Sequence, residues 1–319
     1  MAVQILILLA GLFLVVVGAD YLVEGASSIA RRFGLSEFII GLTIVGMGTS
    51  APEMVVSFIG AIQGNADISL GNVAGSNIFN TLLILGLTAL LLPMDITLQN
   101  KKQDIPMNIL ITVLLIVLGL EHTLFGFGTD GLSRWDGAIL LALFILYMWP
   151  RFRDKSSQEP DSAEEDKPRK AWVATLMILL GLAALVLGGN LFVDSAVNVA
   201  HMLGVSDKFI AITILAGGTS MPELATCVAA AVKKKGQLAL GNIIGSNIFN
   251  ILLILGGSAL IHPLSFAGIS YVDLGALLVS ALALMGACYV GKKNRLDRLD
   301  GALFVLLFAA YMTYLIIKL

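Results

Sequence analysis

Apolar residues run through this chain in long, nearly unbroken blocks, and the few polar positions inside those blocks recur at matched depths. A helix needs roughly 20 apolar residues to cross the hydrocarbon of a bilayer. Ten such blocks emerge, at about 3–22, 37–62, 68–92, 105–120, 133–149, 171–192, 207–231, 238–261, 271–290 and 300–318. The pattern predicts an all-α polytopic membrane protein. Between the fifth and sixth blocks lies RFRDKSSQEPDSAEEDKPRK, charged, with two prolines and no apolar periodicity. It reads as a linker, 151–170, between a first five-helix unit, 1–150, and a second, 171–319.

The two units are copies. GNVAGSNIFNTLLILG, Gly71 to Gly86, matches GNIIGSNIFNILLILG, Gly241 to Gly256, at 13 of 16 positions with an offset of 170. Gly48-Thr49-Ser50-Ala51-Pro52-Glu53 and Gly218-Thr219-Ser220-Met221-Pro222-Glu223 repeat at the same offset. Five spans per unit is an odd number, so the second copy enters the membrane from the opposite side. Such inverted repeats are typical of secondary transporters with a site at the repeat interface.

Each hexapeptide interrupts its span near the middle. Proline lacks an N–H and its ring clashes with the carbonyl four residues earlier, so a break is expected at 52 and 222. Ser50-x-x-Glu53 and Ser220-x-x-Glu223 also fit capping boxes. Capping alone does not explain why a helix restarts in mid-membrane, where a carboxylate costs on the order of 3 kcal/mol and marks a functional site by default. The third and eighth spans carry their own polar residues at midpoint, so helices 2, 3, 7 and 8 are expected to be broken. Together they present Thr49, Ser50, Glu53, Ser76 and Asn80 with Thr219, Ser220, Glu223, Ser246 and Asn250 at one depth. Ser76 and Asn80 share a face, as do Ser246 and Asn250, whereas Asn77 and Asn247 are expected to point elsewhere. Gly71, Gly75, Gly241 and Gly245 have the spacing of close-packing positions.

Composition excludes a soluble domain: 57% of residues are hydrophobic, 13% charged, and mean hydropathy is +0.91. Basic residues are confined to loops, which argues against a nucleic-acid partner. Seventeen of the 20 lysines and arginines fall in the linker and in loops after odd-numbered spans. The positive-inside bias then puts the linker in the cytoplasm and both termini outside a cell membrane. Cys227 and Cys288 lie within spans, leaving no disulfide framework. Asp20, Glu24 and Asp194 near helix ends are read as interfacial, and Asp136 and Asp300 as helix caps.

The mid-membrane inventory is hydroxyl, amide and carboxylate oxygen, without histidine or thiolate. Hard cations take such ligands, whereas transition metals favour nitrogen or sulfur. Two carboxylates balance one Ca²⁺ or two Na⁺, so a single cavity can alternate between them. No nucleophile with its base and no HExxH motif is present, so an enzyme is not expected.

GTSAPE and GTSMPE, each followed by GNxxGSNIFN, resemble the two alpha repeats of the calcium/cation antiporter superfamily, and in particular its prokaryotic sodium/calcium exchangers. The resemblance covers nearly the whole chain. It implies exchange of Na⁺ for Ca²⁺ by alternating access in a lipid bilayer, with electrogenic calcium extrusion, no cofactor, and an H⁺/Ca²⁺ antiporter as the alternative. It also implies an ion-ligand set of Glu53, Glu223, Thr49, Ser50, Ser76, Asn80, Thr219, Ser220, Ser246 and Asn250, with the backbone carbonyls of Gly46 and Ala216. Asn250 departs from potassium-dependent relatives, which carry Asp there, and this argues against potassium co-transport. The resemblance does not specify an oligomeric state.

Overall fold

The computed structural model describes residues 1–126, 128–151, 169–204, 216–289 and 294–318. Most of the expected linker, 152–168, and the first part of the expected seventh span, 207–215, lie outside these residues.

The described chain is almost wholly helical. Its main helices are α1 (Ala2–Phe33), α2 (Glu37–Thr49), α3 (Ala51–Ile62), α4 (Ala66–Leu91), α5 (Asn100–Gly119), α6 (Arg134–Arg151), α7 (Ala171–Met202), α8 (Met221–Val232), α9 (Gly236–Ile261), α10 (Tyr271–Ala287) and α11 (Arg298–Lys318). By length and composition, six of these can each cross a membrane, and a seventh span forms if the bent pair α2 and α3 counts as one. The shorter α8 and α10 are also apolar.

Both α1 and α7 are 32 residues long, about ten more than the expected 3–22 and 171–192. At 1.5 Å per residue each measures about 48 Å, longer than the bilayer core. Residues 23–33 contain no proline, so nothing stops the helix where its apolar run ends. It stops at Gly34, whose φ of 64° is a left-handed C-cap, and whose neighbouring turn ends on Arg31 and Arg32.

The expected break in the second span is present. Glu37–Thr49 and Ala51–Ile62 meet at 48°, with Ser50 at φ −81°, ψ 9° and Pro52 in the first turn of α3. In the other copy, α8 likewise starts after Ser220 with Pro222 in its first turn. The third and eighth spans are not broken, contrary to expectation. Both α4 and α9 run through 26 residues, with a π-helical stretch at Phe79–Ile84 and another at Phe249–Leu255. These spans contain no proline to remove a backbone donor. The wider π turn instead re-aims side chains within a continuous helix, as π-bulges at functional sites do.

Two small antiparallel pairs qualify the all-α expectation: β1 (Met94–Asp95) pairs with β4 (Arg295–Leu296), and β2 (Gly131–Leu132) with β3 (Leu264–Ser265). Each joins a loop of the first unit to one of the second. They tie loop ends and do not form a sheet layer.

Burial sorts the helices. The apolar windows of α9 and α4 are 94% and 72% buried, against 28% for α1 and 11% for α11, so α4 and α9 form the centre. On α9 the spacing of Gly241 and Gly245 permits close packing, since a Cβ on either would come within 2.3 Å of a carbonyl oxygen of α2 (Phe38 and Leu42). The matched Gly71 and Gly75 differ: no described atom lies within 4 Å of a Cβ built there, and both line a cavity of about 540 Å³. Outside the buried centre, charged side chains pair with one another. Lys233 pairs with Asp20 at 2.6 Å, Arg169 pairs with Glu24, and Arg151 meets the buried Asp104 at 2.7 Å. Burial holds the Lys235 ammonium below the usual lysine range, while Glu37 at 3.6 Å pulls it back up.

Candidate functional site

The site is built at two helix joints laid against two central helices. Thr49 and Ser50 sit where α2 meets α3, and Glu53 follows in the first turn of α3. Thr219, Ser220 and Glu223 hold the same positions around the start of α8. Ser76 and Asn80 face them from α4, and Ser246 and Asn250 from α9. Glu53 and Glu223 are fully buried, as are Thr49, Ser220, Ser246, Asn80 and Asn250, with Ser50 and Ser76 at 2% exposure.

The serines do not cap their own helices. Neither Ser50 nor Ser220 makes a side-chain cap bond. Each reaches across the repeat instead: Ser50 Oγ donates to Glu223 Oε1 at 3.0 Å, and Ser220 Oγ to Glu53 Oε1 at 3.1 Å. The capping-box reading is therefore set aside. In hydrocarbon an unsolvated carboxylate is the more expensive group to leave unpaired, so the hydroxyls go there. Ser76 Oγ adds a contact to Glu53 Oε1 at 3.3 Å and Ser246 Oγ one to Glu223 Oε1 at 3.4 Å. Ser76 and Ser220 are also 3.0 Å apart, hydroxyl to hydroxyl.

One oxygen of each glutamate is thus satisfied, and the other is not. Glu53 Oε2, Glu223 Oε2, Asn80 Oδ1 and Asn250 Oδ1 are buried without a hydrogen-bond partner. These orphans fall in two matched pairs, on four of the residues expected from sequence. Buried polar atoms are nearly always satisfied, so four unpaired acceptors in one cluster call for an electropositive guest. An oxygen-only set suits a hard cation. Among the described residues, no three His, Cys, Asp or Glu side chains come together as a metal group.

Gly46 stands at this cluster, its carbonyl accepting from Ser246 Oγ at 3.3 Å. Ala216 opens a one-turn helix, Ala216–Gly218, in the corresponding position before Thr219. The threonine hydroxyls bond to residues that sequence reasoning passed over, Thr49 to Asn242 at 3.1 Å and Thr219 to Asn72 at 3.4 Å. Asn77 and Asn247, expected to point away from the faces of Ser76 and Ser246, reach across to the partner central helix. They lock α4 to α9, with Asn77 Nδ2 donating to Asn247 O at 3.1 Å and Asn250 Nδ2 to Asn77 Oδ1 at 2.8 Å. Asn247 donates to Thr81 at 2.7 Å and accepts from Asn80 at 3.4 Å. Asn77 and Asn247 both stand just before the π stretches, in the α-helical parts of their spans, Ala66–Ile78 and Gly236–Ile248. Asp20 and Glu24 pair with bases at the helix ends, away from this cluster.

The family model described as Sodium/calcium exchanger protein matches residues 3–153 and 173–317. The chain is 42% identical to CaxA of Alkalimonas amylolytica and 35% identical to the sodium/calcium exchanger MaX1 of Methanosarcina acetivorans, in each case over 98% of both chains. Among solved structures it is similar to the sodium-calcium exchanger NCX_Mj soaked with Na⁺ and Ca²⁺, with a TM-score of 0.82, 33% identity and 98% of both chains covered. A doubled polar motif buried between two matched helix joints, a match to the family model in both halves and relatives aligned almost end to end lead to one assignment: the chain belongs to the sodium/calcium exchanger family.

Proposed function

We propose that the protein is a secondary antiporter that exchanges Na⁺ for Ca²⁺ by alternating access, through ten spans arranged as two inverted five-helix repeats, 1–150 and 171–319. On this reading the linker 151–170 is cytoplasmic, both termini lie outside the cell membrane, and Ca²⁺ leaves the cell. The transported ions are the substrates, and Glu53, Glu223, Asn80 and Asn250 supply the principal ligand oxygens. Thr49, Ser50, Ser76, Thr219, Ser220 and Ser246 complete the set with the carbonyls of Gly46 and Ala216. The observation that carries this reading is the group of four buried acceptor oxygens without donors, one carboxylate and one amide from each motif copy. Two carboxylates neutralise one Ca²⁺, and the neutral oxygens raise the ligand number toward the roughly six to eight that Ca²⁺ takes.

The test is ⁴⁵Ca²⁺ uptake into proteoliposomes of the purified protein. An outward sodium gradient without a pH gradient is expected to drive uptake, and an outward proton gradient without sodium is not. Uptake on the proton gradient alone would make the protein a proton-coupled antiporter and refute the sodium reading.

A further inference from the structure

The threonines of the two motifs raise a question that the carboxylates do not. A hydroxyl can serve a cation only through its lone pairs, so its proton has to be donated elsewhere. Thr219 Oγ1 donates to Asn72 Oδ1 at 3.4 Å. Thr49 Oγ1 has two near acceptors for its one proton, Val45 O in its own helix at 3.0 Å and Asn242 Oδ1 at 3.1 Å, so Asn242 shares that hydroxyl with the backbone. Asn72 and Asn242 are matched at the offset of 170, and each receives a proton from the motif copy it does not belong to.

The orientation of these amides is fixed from behind. Asn72 Nδ2 donates to the Glu53 carbonyl at 3.1 Å and to Ser57 Oγ at 3.0 Å, which uses both of its N–H bonds. Turning the amide over would set its oxygen against the Glu53 carbonyl and an N–H against Thr219, so the network assigns the oxygen to Thr219. Asn242 Nδ2 donates to Cys227 Sγ at 3.4 Å, and the thiol is placed to pass its own proton to Ala239 O at 3.7 Å. Cys227 occupies the place of Ser57, so the second amide is anchored on sulfur, a weak acceptor. Asn72 and Asn242 each stand four residues before Ser76 and Ser246, on the helix face that carries the ligand oxygens.

We propose that Asn72 and Asn242 are positioning residues for ion transport, each holding the hydroxyl of the opposite copy's threonine so that Thr219 and Thr49 present lone pairs to a cation. This rests on the exchange reading above. Asn72 does more than Asn242, because the same amide also grips the backbone of Glu53 and because Thr49 keeps Val45 O as an acceptor when Asn242 is lost. One amide then couples the carboxylate of one copy to the hydroxyl of the other.

The test is a double-mutant cycle on the full chain, read by equilibrium ⁴⁵Ca²⁺ binding to purified protein and by the KM and maximal rate of uptake. Asn72→Leu keeps the size and removes the proton acceptor. We expect it to weaken Ca²⁺ binding and raise KM about tenfold, the equivalent of one hydrogen bond. The same tenfold loss is expected beside Thr219→Ser, which keeps the hydroxyl, and a loss of only about threefold beside Thr219→Val, where the grip on the Glu53 backbone is all that remains to be lost. Asn242→Leu is expected to behave likewise with Thr49→Ser and Thr49→Val, but with a smaller loss. If a leucine variant does not fold, alanine takes its place in the same cycle. A full tenfold loss in the valine backgrounds overturns the proposal, because the asparagine would then act without the hydroxyl. Wild-type binding in Asn72→Leu overturns it alone, whereas a wild-type protein that binds no Ca²⁺ overturns the exchange reading and this one with it.

Discussion

Ser50 Oγ donates to Glu223 Oε1 at 3.0 Å across 173 positions of sequence. With its mirror, Ser220 to Glu53, it means that each carboxylate is held by the motif copy to which it does not belong. Neither copy can form its half of the site alone. On the proposed reading, a motion that separated the two joints would strip a bound cation of ligands from both copies.

The carboxylates carry the charge, so their neutral isosteres are the sharpest test. Glu53→Gln and Glu223→Gln each remove half the central negative charge and bring an N–H to a place that needs a lone pair. Each is expected to lower calcium flux by a factor of about 100 or more, given how strongly buried charge pairs depend on both members. Both variants are expected to elute from size exclusion like the parent. Parental flux in either one would sink the site assignment.

Asn250 puts a neutral amide, not a third carboxylate, next to Ser76 and so within the glutamate cluster. Its Nδ2 donates to Asn77 Oδ1 at 2.8 Å and to Ser76 Oγ at 3.3 Å, while its Oδ1 is unpaired. In Asn250→Asp an ionised side chain has no proton to give, and Asn77 Oδ1 faces a carboxylate. Leaving such a group unsatisfied costs about 1–3 kcal/mol. Melting without Ca²⁺ should fall by a few degrees, and Ca²⁺ should raise it more than it does in the parent. An unchanged ion-free melting point would show that the amide donor is not needed.

How much of this was legible in the sequence depends on which force wrote it. Glu53 and Glu223 were legible because a carboxylate inside an apolar run has no cheap structural explanation. The bend at Ser50 was legible because Pro52 removes a donor wherever it stands. The continuity of α4 and α9 was not, because a π turn needs no signature residue and follows from tertiary contact. The bonding of Asn77 and Asn247 was not legible either, because which groups they meet depends on how α4 and α9 pack against each other. Asn72 was overlooked for another reason. Its spacing of four from Ser76 and eight from Asn80 was visible, but an asparagine in a glycine-rich helix also suits plain helix packing. The length of α1 was missed because polarity ends the apolar run near Tyr21 without ending the helix.

The pairing of α1 with α7 bears on movement. Glycines let these helices touch: a Cβ on Gly18 would stand 2.8 Å from Gly181 O, and one on Gly188 would stand 2.7 Å from Leu14 Cβ. The tie from α1 to α8 in the ion-pair network is different in kind, an ionic contact between Asp20, inside α1, and Lys233, at the C-terminal end of α8. Half-exposed ion pairs of this sort hold weakly. We expect α1 and α7 to slide together against the rest. A bifunctional maleimide joining Glu24→Cys on α1 to Arg169→Cys just before α7 should leave uptake intact, while the same reagent joining Asp20→Cys to Lys233→Cys should stop it. The reverse pattern would exclude the sliding pair.

The charge balance of the site sets the last expectation. Two carboxylates compensate one Ca²⁺ as well as two Na⁺, so a two-for-one exchange would be electrically silent. The site has more oxygen than two Na⁺ need, with unpaired amide oxygens on Asn80 and Asn250 beside the two free carboxylate oxygens and the serine hydroxyls. A third Na⁺ can use the neutral members of that set, and each turnover then moves one net positive charge with the sodium. Moving that charge across the membrane is worth about 2.3 kcal/mol per 100 mV. With the cell interior negative, the potential pulls sodium in and so helps to expel calcium. In sodium-loaded proteoliposomes the direction is reversed, so a valinomycin-set potential that makes the interior positive should accelerate ⁴⁵Ca²⁺ uptake, and an interior-negative one should slow it. Uptake at the same rate under both potentials would mean that two Na⁺, not three, replace each Ca²⁺, and that the amide oxygens serve calcium alone.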